Sequence, residues 1–169
     1  KIGLYPFRSK NNMPNQRPLS RESFLNNKVI FVDGFVGGGK TLLGQIIASL
    51  DSVEMWVHRP LVEQLCGLHA HGEINEASAI NLLNCCFDNE VYSQALLRDS
   101  NFRPYDHSSI FKYPKKIEYL KRIFNSNDAD LFNQFAEDNR ALHFMSHGIT
   151  AISEPIFQSL GDRLIFCRL

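Results

Sequence analysis

The segment KVIFVD, residues 28–33, is almost continuously apolar, rich in β-branched and aromatic side chains, and stops at Gly34. Such a run reads as a strand buried on both faces of a parallel sheet. The next eight residues are Gly34, Phe35, Val36, Gly37, Gly38, Gly39, Lys40 and Thr41, which fit G-x-x-x-x-G-K-[ST] without a gap. In KTLLGQIIASL, residues 40–50, Leu43, Ile46, Ile47 and Leu50 then recur at helical spacing. Strand, glycine loop and amphipathic helix in that order leave few folds open. The helix must cross back over the sheet, so an α/β domain with a parallel sheet follows.

The same order prescribes chemistry. Glycines let the backbone curl so that successive N–H groups point at one anion, and the helix N-terminus adds roughly half a positive charge. Lys40 is suited to neutralise terminal phosphate charge, and Thr41 to offer its hydroxyl to Mg²⁺ or a phosphate oxygen. Gly37 and Gly38 exceed the minimal pattern and imply close approach of backbone to ligand. The expectation is a P-loop nucleotide-binding domain of three-layer, NTPase-like type, with the ligand held along Gly34–Leu42.

The rest of the chain supports the α/β reading. VEMWV at 53–57 reads as a second short strand, and 60–71 and 76–97 as helices; in the second of these Ile80, Leu83, Phe87 and Val91 form one face. Residues 99–114, with Pro104 and Pro114, read as a loop. Residues 115–124 predict a short helix with Ile117, Leu120 and Phe124 inward and Lys115, Lys116, Lys121 and Arg122 outward. A further helix is expected at 129–140, strands at 141–148 and 163–169, and a helical turn or two between those strands.

Composition excludes several classes. Of 169 residues, 44% are hydrophobic, and 18 basic residues balance 18 acidic ones. A neutral chain gives no global argument for an anionic membrane, and with no recognition motif either, nucleic acid is not the expected partner. No apolar run is long enough to span a bilayer, and residues 1–27 lack the apolar stretch of a secretory signal. A cytoplasmic location is the default expectation. Residues 1–27 carry five bases against Glu22 and read as a flexible basic arm preceding a domain from 28 to 169. The chain stops at Leu169 inside the apolar run RLIFCRL, so a C-terminal continuation of the domain is expected. Cys66, Cys85, Cys86 and Cys167 match no disulfide or zinc framework and read as free, buried thiols. The stretch CGLHAH offers Cys66, His69 and His71 as a weak metal alternative.

Two enzymatic readings follow from the loop. In the first, Mg-ATP donates a phosphoryl group. DGFVGGGKT resembles the first loop of nucleoside and nucleotide kinases over about ten residues, and Glu154 or Asp33 would supply the acid that organises Mg²⁺ beside Thr41. In the second, the chain resembles the P-loop sulfotransferases. The likeness rests on Gly34, Phe35, Gly39, Thr41, Leu42 and Leu43, which fall on that family's G-F-P-[KR]-S-G-T-T-L-L loop. It extends to HFMSHG, where His147 falls on the histidine of the family's K-T-H. The resemblance implies 3′-phosphoadenosine-5′-phosphosulfate as donor, a small-molecule or glycan-type hydroxyl as acceptor, and His147 as general base. Gly37 stands where that family has its loop lysine and Met145 where it has the lysine of K-T-H. The family's R-[ND]-P element is absent from the sequence: Arg168 lies in its neighbourhood, but Leu169 does not continue it. Independently of any family, a histidine at a strand end beside a phosphate loop is suited to take a hydroxyl proton. A third reading is a nucleotide-binding module without turnover.

His143 lies in apolar surroundings and reads as structural, while His58, His69, His71 and His107 carry no motif. Residues 98–122 hold seven bases against three acids. They are either a cationic lid over an anionic donor or a solvated face.

Overall fold

The computed structural model describes residues 26–169, so the basic arm lies outside the described residues except for its last two positions. Asn27 is buried and donates from Nδ2 to the Arg140 carbonyl at 2.9 Å, so the folded domain begins before residue 28.

The first strand, β1 (Val29–Asp33), is buried along its whole length. It is followed by helices α1 (Lys40–Ala48), α2 (Pro60–Ala70), α3 (Glu76–Ala95), α4 (Lys116–Ile123) and α5 (Asp128–Glu137). Strand β2 (Leu142–Met145), helix α6 (Glu154–Leu160) and strand β3 (Leu164–Arg168) complete the order. The three strands form a parallel sheet in the order β2-β1-β3, with Phe31 opposite Phe144 and Phe166. The α/β class expected from the loop is therefore present, built on a small sheet with β1 at its centre.

Alternation along β1 sends successive side chains to opposite faces. Val29 and Phe31 join Leu142 and Phe144 in a core with Val62 and Leu65 of α2, Leu83, Phe87 and Val91 of α3, and Ile156 and Leu160 of α6. Phe31 stacks on Phe144 with ring centroids 4.9 Å apart. Ile30 and Val32 face the other way, toward Leu43 and Ile47 of α1. Helices thus cover both faces.

The segment 53–57 does not form the continuous strand expected. It runs parallel to β2 through isolated bridges, Val53 to Ala141 and Val57 to Phe144. Four steps on this chain match three on β2, so one extra residue interrupts the ladder as a bulge. In that interval the Met55 amide donates to the Tyr119 hydroxyl at 3.1 Å instead.

Two helix faces differ from their predicted stripes. In α1, Ile46 and Leu50 of the expected stripe are exposed, and the buried positions are Lys40, Gly44 and Ala48. A Cβ on Gly44 would lie 3.0 Å from both Met145 Cε and Trp56 Cδ1, so small residues set how closely α1 approaches the sheet. In α4, Ile117, Leu120 and Phe124 are exposed and Tyr119 is buried instead. Arg122, expected outward, is directed inward to Glu54.

That inward turn belongs to a buried polar cluster. Glu54 accepts from Tyr119 Oη, from Arg140 Nε and, at 3.2 Å, from Arg122 Nη1. Arg122 Nη2 also donates to the Ala95 carbonyl at 3.2 Å, and Arg140 Nη1 meets Glu118 Oε1 at 2.6 Å. Hydrogen-bonding partners for three elements thus overrode the apolar stripe of α4. Burial and the neighbouring Glu54 hold the Tyr119 hydroxyl well above its ordinary pKa.

The four cysteines are free, as expected, but only Cys66 is buried and Cys85 is exposed. Burial pushes the Cys66 thiol up to about 11.

His143 is structural, as its surroundings suggested. It is buried in β2 with both ring nitrogens unpartnered, and desolvation lowers its pKa to about 4. An unfolded histidine protonates near pH 6.5, so the folded state binds fewer protons between about pH 6.5 and 4. Stability carried by neutral His143 is intact above that window and falls by about 1.4 kcal/mol per pH unit as the pH drops through it. In His143→Leu, denaturant unfolding measured across this window should lose one proton's worth of that slope. An unchanged slope would show that His143 is protonated or solvated in the fold.

Among the described residues no helix is long and apolar enough to cross a membrane.

Candidate functional site

Parallel strands bring their carboxyl ends, and the loops that leave them, to one edge of the sheet. Here the loop after β1 carries Gly34–Gly39, the loop after β2 carries Ser146–Ile149, and the segment after Val57 carries His58.

The glycine loop turns sharply between β1 and α1. Gly37 and Gly39 have φ of 86° and 84°, a region that glycine enters without steric cost. Gly38 N donates to the Phe35 carbonyl at 3.1 Å and closes the turn. Gly34 is fixed by close approach, since a Cβ there would lie 2.9 Å from the Leu169 carbonyl oxygen. The N-terminus of α1 has Gly39 as its N-cap, no side-chain cap and no acidic residue in its first turn. Its dipole therefore meets no protein anion from its own first turn. Phe35, Val36 and Leu42 are strongly exposed around this loop.

Lys40 is buried and folds back on the loop. Its Nζ donates to the Gly34 carbonyl and, at 3.0 Å, to that of Phe35. The ammonium is thus parked against the loop it would share with an anion.

Asp33, the acid preceding the loop, is committed elsewhere. Its carboxylate accepts from Ser146 Oγ at 2.9 Å, from the amides of Gly148, Ile149 and Thr150 at 2.8, 3.1 and 3.0 Å, and from Thr150 Oγ1. Burial alone would raise its pKa, but the bonds from Thr150, Ser146 and Ile149 outweigh it and hold the carboxyl below its ordinary value. Asp33 clamps the loop after β2 against the loop after β1. Glu154 stands exposed at the first position of α6, 3.5 Å from Gln158 Nε2, as a helix N-terminal acid.

His147 is exposed at the end of β2, one residue before Gly148, which contacts Phe35 of the glycine loop closely enough that a Cβ there would lie 3.7 Å from Phe35 Cε1. The strand ends therefore bring His147 and the glycine loop to the same edge of the sheet. Two partners that the sequence did not single out join it. His147 N donates to Glu63 Oε1 at 2.9 Å, and His147 Nδ1 lies 3.4 Å from that oxygen and 3.2 Å from His58 Nε2. His58 Nε2 is itself 3.2 Å from Glu63 Oε1. His58 and Glu63 lie five apart around the start of α2, a spacing without a recognised motif, and only tertiary packing brings them to His147: the bridge from Val57 to Phe144 places His58, and α2 carries Glu63.

Cys66, His69 and His71 do not converge: among the described residues the group with three metal-ligand atoms close together is His58, Glu63 and His147.

A cleft of about 210 Å³ opens beside His58, lined among others by Trp56, Arg59, Asp99, Asn101 and Ser108. Arg59 is fixed there by Glu90 and Asp99, the latter at 3.0 Å. A larger cavity of about 390 Å³ lies around Arg122, Leu131 and Arg140. Arg140 precedes β2, which places that cavity at the opposite end of the sheet. Several cations of 98–122 are also occupied within the fold. Lys112 donates to the Tyr105 carbonyl, Lys115 to that of Leu50, and Arg98 meets Asp128 at 3.4 Å.

Compared with protein-family models, curated proteins and solved structures, the chain matches none of them.

Proposed function

We propose that this chain is a P-loop nucleotide-dependent group transferase of NTPase-like fold, moving a sulfuryl group from 3′-phosphoadenosine-5′-phosphosulfate to an acceptor hydroxyl. The observation that carries the reading is the glycine loop between the end of the central strand and the uncapped start of α1, with His147 on the neighbouring strand end. The loop amides and Thr41 hold the 5′-phosphosulfate, and Lys40 leaves its carbonyl partners for the donor's anionic oxygens. The acceptor oxygen bonds to sulfur as the bond from sulfur to the bridging phosphate oxygen breaks. His147 Nε2 takes the hydroxyl proton while its Nδ1–H faces Glu63, and 3′-phosphoadenosine 5′-phosphate departs. Most of the rate acceleration then comes from positioning and charge stabilisation. The cleft beside His58 is the site assigned to a small hydroxyl acceptor.

One observation favours a second reading. Lys40 and Thr41 occupy the G-K-T positions, which suits phosphoryl transfer from Mg-ATP with Thr41 toward the magnesium. Asp33 has its carboxylate committed to five hydrogen bonds, and Glu154 lies at a helix start instead of a strand end, so neither adds to that reading.

Titration with 3′-phosphoadenosine 5′-phosphate and with ATP, each with and without Mg²⁺, separates the two. Metal-independent binding of the first is expected. Metal-dependent binding of ATP alone would replace the sulfuryl reading with the phosphoryl one, and binding without turnover would leave a nucleotide-binding module. Lys40→Ala should weaken donor binding at least tenfold, about 1.4 kcal/mol. His147→Ala should reduce turnover and leave donor affinity nearly intact.

A further inference from the structure

The geometry points to a transition-metal site formed by His58 Nε2, Glu63 Oε1 and His147 Nδ1, with one coordination position open. The three atoms form a nearly equilateral triangle with sides of 3.2, 3.2 and 3.4 Å. A tetrahedral ion with bonds of about 2.05 Å to nitrogen and oxygen has ligand–ligand edges of about 3.3 Å. The triangle is thus one face of such a tetrahedron, and the fourth vertex is left for water or substrate.

Hydrogen bonding does not satisfy all three contacts at once, since a single N–H, on His58 Nε2 or on His147 Nδ1, must serve both the bare nitrogen of the other ring and Glu63 Oε1. If both imidazoles donate to Glu63, their two N–H groups confront each other across 3.2 Å. If either nitrogen is bare, that ring makes no bond to the carboxylate. Glu63 Oε1 also already accepts from the His147 amide. A divalent cation at the centre satisfies all three lone pairs together.

The ligands stand on elements held independently. Val57 is fixed beside β2 by Val57 N to His143 O at 2.9 Å and Met145 N to Val57 O at 2.8 Å, which sets His58. Glu63 lies on α2 between the buried Val62 and Leu65. His147 is flanked by Ser146 and Gly148, both bonded to Asp33. All three side chains remain partly solvent-exposed, so an ion has a way in. Two imidazoles and one carboxylate suit Zn²⁺ or Co²⁺, whereas Mg²⁺ and Ca²⁺ prefer oxygen alone.

A metal on His147 Nδ1 leaves the ring's remaining proton on Nε2. Occupancy and proton abstraction by Nε2 therefore exclude each other. This consequence rests on the group-transfer reading, while the metal site itself does not.

The test is Co²⁺ titration of the full chain under reducing conditions, followed by visible absorption, with Zn²⁺ competition and Mg²⁺ as control. One ion per chain is expected, with the intense d–d bands of tetrahedral Co²⁺, no thiolate charge-transfer band, displacement by Zn²⁺ and none by Mg²⁺. His58→Asn, Glu63→Gln and His147→Ala should each lower affinity at least tenfold, with circular dichroism confirming their fold. No binding, a weak octahedral spectrum, or affinity unchanged in all three variants overturns the site. If metal binds as described but the chain transfers no group in either state, the site stands and the reading under Proposed function falls.

Discussion

Glu54→Ala is expected to destabilise the fold by about 3–5 kcal/mol, because it strands buried positive charge. Glu54 is fully buried and is the shared acceptor of Tyr119, Arg122 and Arg140. The side chains of Arg122 and Arg140 are only 11% and 8% exposed. Without Glu54, Arg140 keeps only Glu118 and the more distant Asp138, both on the rim of the cluster. Tyr119 loses its acceptor while its hydroxyl still receives the Met55 amide. For a domain of this size the loss corresponds to a fall in melting temperature on the order of 10 °C. Glu54→Gln should cost less, since it keeps one acceptor oxygen. Denaturant unfolding of the two variants checks both statements, and a change under about 1 kcal/mol in Glu54→Ala would mean that the arginines reach water without it.

Asp33→Asn should cost about 3 kcal/mol, since hydrogen bonds to a charged partner each contribute roughly 1.5–3 kcal/mol and several are lost or reversed. All five donors aimed at Asp33 are N–H or O–H groups, and an amide NH₂ opposes those it faces. The sign with pH follows from the lowered pKa. Stability contributed by the ionised carboxylate is present above the ordinary value near 3.8 and is lost as pH falls below it toward the depressed folded value. The local consequence is more telling than the global one. The amides of Gly148, Ile149 and Thr150 should lose hydrogen-exchange protection in the variant, while those of β1 keep theirs. Equal loss in both would mean that Asp33 supports the whole sheet and not the one loop. Because the clamp holds His147 toward Glu63, the same variant should weaken any function of that histidine.

How far the site was legible in sequence differs from residue to residue. The strand, glycine turn and helix start from Val29 to Ala48 could be read directly, because they are contiguous and each residue type answers a local steric need. His147 was legible as a candidate through its position after an apolar run. His58 and Glu63 were not, because they meet His147 only through tertiary packing, His58 through bridges between 53–57 and the β2 segment and Glu63 through α2, with 89 positions separating His58 from His147. Asp33 was read as a potential magnesium acid, yet its oxygens serve the loop after β2, a partnership fixed only once β1 and β2 pair. The α4 stripe misled for a related reason. Ile117, Leu120 and Phe124 have the right spacing, but Glu54 needed Tyr119 and Arg122, and a buried carboxylate without partners costs more than three apolar side chains left in water.

Local order was thus determined by the sequence itself: a buried strand, a glycine turn, a helix, and the alternation that makes an α/β domain with a parallel sheet. Periodicity and backbone freedom are properties of neighbouring residues, so they survive in the linear text. Only the tertiary structure decided which polar groups meet — Asp33 with the 146–150 loop, Glu54 with two arginines, His58 and Glu63 with His147. Those contacts depend on distances between segments far apart in the chain, and the desolvation of each buried group had to be matched by whatever partner the packed sheet and helices brought within reach.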